Sequence, residues 1–168
     1  MPSVIHPSSS FWKAAMFFGI LGAFLGGISR LTVVDLDMFH QMALFRAFLN
    51  NGSLPVEDIF SYVPTVSPVV HHEWGFGAIL YLIIVSAGFG STGLMAFKYI
   101  LSALICLRCY AFVQRRQVSI SIFAPLSLIA IGLGWMGFTT IRAQLFSLLL
   151  LTILIHLLER DRSGERSW

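Results

Sequence analysis

The chain has no acidic residue between Trp74 and Leu158. Successive apolar runs fill that stretch, and its few basic residues stand at or near the ends of those runs. A soluble domain carries about 25% charged residues, whereas only 11% of this chain is charged and its mean hydropathy is +0.81. Because so few charges cannot cover a water-exposed globule, the sequence predicts an integral membrane protein.

The apolar runs supply about four membrane-spanning helices. A span needs about 20 residues, with a range near 17 to 25. We place the spans at 14–34, 94–113, 119–138 and 139–158, followed by a cytoplasmic tail at 159–168. The last run is apolar only from Ala143 and reaches the length of a span by including residues 139–142. The expected fold class is therefore all-α, a polytopic membrane protein.

The first apolar run has an alternative interpretation as a secretory signal peptide. The apolar region of such a peptide usually has about 7 to 15 residues. The run at 14–34 is longer, follows Lys13 and shows no convincing small-x-small cleavage site. We therefore interpret it as an uncleaved membrane anchor.

The apolar run at 75–87 is too short for a span, and the positions of basic residues indicate where it lies. Basic residues beside spans face the cytoplasm. If this run crossed the membrane, Arg115 and Arg116 would lie outside, whereas an interfacial position puts them inside together with Lys13 and the basic tail. The pattern predicts a long outer loop at 35–93 that contains interfacial helices.

The overall basic charge does not indicate a nucleic-acid partner. The formal charge is +3, but the basic residues flank apolar runs and form no polar basic segment. Cys106 and Cys109 form a C-x-x-C inside an apolar run, and we interpret them as small hydrophobic residues on one helix face. The expected partner is the lipid bilayer, and the expected location is the inner (plasma) membrane.

The outer loop begins with a predicted helix at 36–49. Asp35 is a suitable N-cap for it, and the sequence Asn-Asn-Gly at 50–52 is a strong stop signal. Asp37, His40 and Gln41 fall at positions i, i+3 and i+4, so they share one face of this helix.

The loop also concentrates the ionisable residues that could carry chemistry, namely Asp35, Asp37, His40, His71, His72 and Glu73. Such a group could hold a metal, supply a general base or bind a phosphate-bearing group, and its acids could also simply solvate an exposed loop. The stretch at 71–74 lacks the helical H-E-x-x-H spacing, so it is weak as a metal motif.

Two cations lie near the predicted outer ends of spans. Arg142 precedes the last apolar run, where an arginine can bind phosphate or snorkel to lipid headgroups. Lys98 lies near the start of the span at 94–113, where it can snorkel or face a polyanionic headgroup. Both readings remain open for each residue.

Several motifs together resemble a known family. They are Asp35-Leu-Asp-Met-Phe-His40, Asn51-Gly-Ser-Leu-Pro55, Asp58-Ile-Phe-Ser-Tyr62, His71-His-Glu-Trp74 and Arg142-Ala-Gln-Leu-Phe-Ser147. Over residues 14–160 the chain resembles the N-terminal part of bacterial membrane proteins of the GT-C glycosyltransferase superfamily. The family's Arg-Pro-Gln segment has Ala143 in place of the usual proline here.

The resemblance implies transfer of a sugar from a polyprenyl-phosphate donor at the non-cytoplasmic face. It places the catalytic carboxylate just after the first span, so we expect Asp37 in that role first and Asp35 second. The residues expected to bind substrate are His40, His72, Glu73, Arg142 and Lys98. Arg142 would stabilise the leaving phosphate, and a divalent metal held by Asp37 and His40 is the alternative.

Members of this family have many more spans than this chain. We therefore expect an incomplete module that does not turn over substrate alone and that seeks missing C-terminal spans or a partner subunit. The alternative function is a non-catalytic membrane subunit or a small transport-type protein, in which the loop acids form a solvated face.

Overall fold

The structure is a computed structural model that describes residues 9–29, 33–63, 67–71 and 73–164. This part of the chain is mainly α-helical. The helices are α1 (Ser9–Ser29), α2 (Leu36–Asn51), α3 (Trp74–Tyr81), α4 (Gly90–Arg115), α5 (Ile120–Thr139) and α6 (Ala143–Arg162). A π-helical turn at Leu82–Ser86 extends α3, and two short strands, β1 (Val33–Val34) and β2 (Thr140–Ile141), pair in parallel.

Three of the described helices are long and apolar enough to cross a membrane. They are α1 over Phe11–Ser29, α4 and α6. Helix α5 contains Pro125, and its apolar stretch Ser121–Trp135 is shorter. The expected helical fold is thus confirmed, with three candidate spans among the described residues. The count of about four spans, with the fourth in α5, remains a prediction.

The long helices run antiparallel where α1 meets α4. Phe17 near the start of α1 stacks on Tyr110 near the end of α4, with ring centroids 4.1 Å apart. At the opposite end, the side-chain amine of Lys98 on α4 donates to the carbonyl of Ile28 on α1 at 3.2 Å. The start of α1, including Lys13, therefore lies at the same end of the bundle as the end of α4.

Helix α6 runs parallel to α4, so both end at the same side. Arg116, directly after α4, forms an ion pair with Glu159 near the end of α6. This side, which we call the basic end, is defined by Arg115, Arg116, Arg160 and Arg162. The structure groups the basic turns at one end, as predicted. The two short strands lie at the other end of the bundle.

A core of apolar side chains holds α1, α4, α5 and α6 together. Its buried members are Phe24, Ile28, Leu101, Ile105, Phe138, Leu145 and Leu149. Phe24 makes an edge-to-face contact with Phe138 at 4.9 Å between ring centroids. The core reaches from the middle of the bundle to the end where β1 and β2 pair, so it supports the elements that follow those strands.

The strands change two of the predicted helix bounds. Helix α1 begins at Ser9 and ends at Ser29, so it does not extend to Val34, and α6 begins at Ala143 rather than at 139. The residues that leave the helices, at 33–34 and 140–141, are β-branched and favour extended backbone. Their pairing replaces the helical hydrogen bonds that the longer spans would have made.

The short apolar run forms a helix, as predicted, over Trp74–Ser86. It packs across α2 at very close range: a Cβ atom added to Gly77 would overlap the backbone oxygen of Gln41. Only glycine fits there without moving one helix, so Gly77 sets the distance between α2 and α3. The interfacial position of this helix remains a prediction.

Candidate functional site

Helix α2 presents the loop carboxylates in a fixed orientation because both of its ends are capped. The side chain of Asp35 accepts a hydrogen bond from the backbone N–H of Asp37 at 3.2 Å, as the N-cap prediction required. Gly52 adopts a left-handed conformation with φ of 73° and donates its N–H to Phe48. The predicted helix and its stop signal are confirmed, and the helix continues to Asn51.

The strand register brings Asp35 to Arg142. Val34 pairs with Ile141 in a parallel ladder, so the residues that follow them, Asp35 and Arg142, lie side by side. Arg142 Nε contacts Asp35 Oδ2 in an ion pair, with the Asp35 side chain 12% exposed and that of Arg142 51% exposed. Asp35 therefore caps α2 and fixes the arginine at the start of α6.

A pocket of about 140 Å³, which we call the acidic pocket, lies beside this ion pair. Its polar wall consists of Asp35, Asp37, Gln41, Glu73 and Arg142, with Gln144 at its edge. Met38, Phe76 and Ile141 form its apolar floor. The pocket thus combines three carboxylates with one guanidinium at the end of the bundle opposite the basic end.

A second pocket of about 340 Å³, the histidine pocket, adjoins the first and shares Asp37, Gln41 and Glu73 with it. Its own polar residues are His40, Asp58 and His71. The His71 ring shares a 2.8 Å hydrogen bond with the carbonyl of Pro55, which links two positions of the loop between α2 and α3. The exposed Asp37 carboxylate therefore stands on the wall between two polar pockets.

Gln41, which the sequence placed on the same helix face as Asp37 but to which it gave no role, also lines the site. Its Nε2 donates to Glu73 Oε2 at 2.6 Å, across the crossing of α2 and α3. Glu73 adopts a left-handed backbone with φ of 77°, an uncommon conformation for a residue other than glycine. The only sequence signal was the shared helix face of Asp37, His40 and Gln41.

Most of the predicted site residues come together in these pockets. Asp35, Asp37, Glu73 and Arg142 line the acidic pocket, and His40 lines the histidine pocket. His72 lies outside the described residues. The roles assigned to these residues remain predictions, but the expected convergence of the two loop segments with the start of α6 is present in the structure.

Lys98 lies elsewhere. Its side chain is fully buried in the bundle, it lines neither pocket, and its amine is bonded to the Ile28 carbonyl. Because that carbonyl is next to the last residue of α1, Lys98 stabilises the end of a helix whose final carbonyls lack helical partners. Its position does not support the expected contact with substrate.

The expected metal site is not supported by the described residues. Asp37 and His40 lie one turn apart on α2, but no group of three His, Cys, Asp or Glu side chains in this part of the chain could hold a metal ion. The donor set does not fit a divalent cation that binds three or more protein ligands. We derive no step through a metal.

No family model, curated protein or solved structure matches the chain. Fold and site together define a helical protein with three candidate membrane spans and a polar pocket at one end of its bundle.

Proposed function

We propose that the chain is the N-terminal module of a membrane glycosyltransferase that acts on a polyprenyl-phosphate-linked sugar at the non-cytoplasmic face. The observation that carries the proposal is the joint placement of Asp37, Glu73 and Arg142 around one pocket. These residues come from three separate segments of the chain, and the resemblance to GT-C enzymes rests on the same segments.

The chemistry of the acidic pocket suits a hydroxyl-rich ligand. Carboxylates accept hydrogen bonds and cannot donate them when ionised. Asp35, Asp37 and Glu73 are therefore complementary to the hydroxyl groups of a sugar or an acceptor. Arg142 is the one cation that lines this pocket among the described residues.

Asp37 is the residue that we assign as the general base. Its side chain is exposed on the wall shared by both pockets, so it can reach the hydroxyl of an acceptor. The Asp37 carboxylate takes the acceptor's proton as the acceptor oxygen bonds to the anomeric carbon of the sugar. The bond from that carbon to the phosphate oxygen breaks, and the polyprenyl phosphate leaves with the electron pair.

Arg142 is assigned to the phosphate. Its guanidinium contacts Asp35 through Nε, half of the side chain is exposed, and the residue lines the pocket. A guanidinium suits phosphate oxygens because its N–H groups form a planar fork. Since Lys98 lies inside the bundle, Arg142 acts here without help from that lysine.

The test is a binding and transfer experiment with a polyprenyl-phosphate sugar. Binding is measured by native mass spectrometry on the chain in detergent. Transfer is measured in membranes of the native host, which contain any further spans or subunit that transfer requires. Arg142→Gln should weaken binding about ten-fold or more, since it removes charge-assisted hydrogen bonds. Asp37→Asn should retain binding and lower the transfer rate by about 10²- to 10⁴-fold.

Glu57→Gln is the matched control. Glu57 is exposed in the same loop and lines neither pocket. Its substitution removes one acidic charge and should change neither binding nor transfer. Absence of binding by the unaltered chain, or equal effects of Glu57→Gln and Arg142→Gln, would contradict the proposal and favour a non-catalytic membrane subunit.

A further inference from the structure

The side chain of Gln41 is held in one orientation at the junction of the two pockets. It is only 9% exposed, and its Nε2 donates to a carboxylate oxygen of Glu73. Because an ionised carboxylate only accepts hydrogen bonds, the Glu73 contact identifies which end of the amide is the nitrogen. Gln41 Oε1 therefore points away from Glu73.

Gln41 Oε1 is buried, and no donor among the described residues bonds to it. A buried acceptor without a partner costs free energy, and native proteins contain few of them. Gln41 nevertheless lines both pockets. A pocket therefore adjoins the Gln41 side chain on two sides, and none of the described residues supplies a bonding partner for its Oε1.

Two contacts hold Gln41 in its place at the crossing of α2 and α3. Gly77 on α3 packs directly against the backbone of Gln41, at a distance that leaves no room for a Cβ atom. The contact to Glu73 restrains the amide from the same side. A partner for Oε1 has to come to the residue through the pocket.

We propose that Gln41 is a substrate-recognition residue whose Oε1 accepts a hydrogen bond from a hydroxyl group of the sugar. Gln41 Oε1 is an acceptor, and the Asp37 and Glu73 carboxylates in the same pocket wall are acceptors too, so the complementary ligand group is a donor. This inference rests on the proposed function, and it adds the residue that separates a sugar-bearing lipid from the bare lipid phosphate.

The experiment compares the affinities for a polyprenyl phosphate with and without an attached hexose. The unaltered chain should bind the sugar-bearing lipid more tightly. Gln41→Met, which keeps the approximate shape of the side chain, should weaken binding of the sugar-bearing lipid about ten-fold and leave the bare lipid unchanged. Arg142→Gln should weaken binding of both lipids.

Gln117→Met is the matched control, because Gln117 is an exposed glutamine after α4 that lines neither pocket. This variant should retain the full discrimination between the two lipids. Equal losses in Gln41→Met and Gln117→Met would contradict the proposal, since a non-specific effect of replacing a glutamine would then explain both.

Thermal unfolding of the ligand-free chain is the second measurement. A purely structural role of Gln41 would lower the midpoint of unfolding in the variant, whereas a recognition role would not. Gln41→Met removes an unsatisfied acceptor, and the exposed Glu73 regains water, so the midpoint of unfolding should stay the same or rise. A lower midpoint with unchanged lipid discrimination would show that Gln41 is structural and overturn the proposal.

The two hypotheses fail in different ways. If the unaltered chain binds neither lipid, the proposed function is wrong, and the proposed hydrogen bond from a sugar to Gln41 fails with it. If it binds both lipids equally, or if Gln41→Met retains full discrimination, the recognition role is wrong while the lipid-phosphate site stands.

Discussion

The two ends of the helical bundle are each joined by an arginine–carboxylate pair, but the pairs are built differently. Arg142 and Asp35 follow paired strands, and the Asp35 side chain is 12% exposed. Arg116 and Glu159 extend from helix ends, with side chains that are 50% and 27% exposed. Arg116 also lies over the Phe112 ring, 5.8 Å from its centroid.

The comparison indicates that the pocket at the strand end depends on its backbone framework, the paired strands and the helix cap, more than on the ion pair. Exposed pairs contribute little because water screens them and two long side chains must be ordered. At the strand end, the ladder and the N-cap already fix Asp35. The ion pair there orients the Arg142 side chain at a pocket that other contacts form. At the basic end, the charges serve mainly to distinguish one side of the bundle from the other.

The largest expected effect is at Gly77, which sets the spacing of α2 and α3. Gly77→Ala should destabilise the chain by about 3 kcal/mol, since the added methyl group would overlap the Gln41 backbone. Hydrogen exchange should increase in α2 and α3 and remain low in α4. Gly75→Ala, on the same helix with open space around it, should change stability by less than about 1 kcal/mol. Equal effects of the two variants would show that the close crossing does not hold the pocket.

Lys98 gives the next largest effect and tests its placement away from the pocket. Lys98→Met should lower stability by about 2 kcal/mol, because the Ile28 carbonyl loses its buried donor. The affinity for a polyprenyl-phosphate sugar should stay unchanged in the folded fraction. A selective loss of affinity without a loss of stability, measured by unfolding titration and native mass spectrometry, would restore Lys98 to the site.

Sequence patterns were sufficient for the local structure of the site. The acceptor side chain of Asp35 and the glycine after Asn51 each act within one turn of the helix end, so neighbouring residues determine both caps. The positions of the basic residues between the predicted spans also predicted correctly that the basic turns lie at one end. The order of the spans along the chain determines the end at which each turn lies.

The distant contacts could not be predicted in the same way. Strands β1 and β2 have two residues each, too few for an alternating pattern, and they pair across most of the chain. Gln41 and Lys98 both have partners that are set by how helices cross, at Glu73 and at Ile28. Neither crossing leaves a signal in the residues on one helix alone.

Asp35 combines a cap and an ion pair, and two substitutions separate them. Asp35→Asn keeps a side-chain oxygen for the Asp37 N–H and should retain the cap, while Asp35→Ala should lose about 1 kcal/mol of stability. Both remove the charge beside Arg142. Equal unfolding midpoints for the two variants would show that the cap contributes nothing.

The smallest effect is expected at the basic end. Arg116→Gln should lower stability by less than about 1 kcal/mol, because its pair with Glu159 is largely exposed. The change should also depend on salt, since ions screen exposed charges. A loss of stability as large as that of Gly77→Ala would mean that the ion pair at the basic end is also held by a rigid framework.

The central claim is that the acidic pocket and the basic end lie on opposite sides of the membrane. The direct test uses single cysteines at exposed positions in a Cys106→Ala, Cys109→Ala background, labelled with a membrane-impermeant maleimide. Ser67→Cys and Ser91→Cys should react from outside in intact cells, and Gln117→Cys and Ser163→Cys should react only after permeabilisation. Outside labelling of Gln117→Cys would contradict this orientation and would make the run at 75–87 a true span.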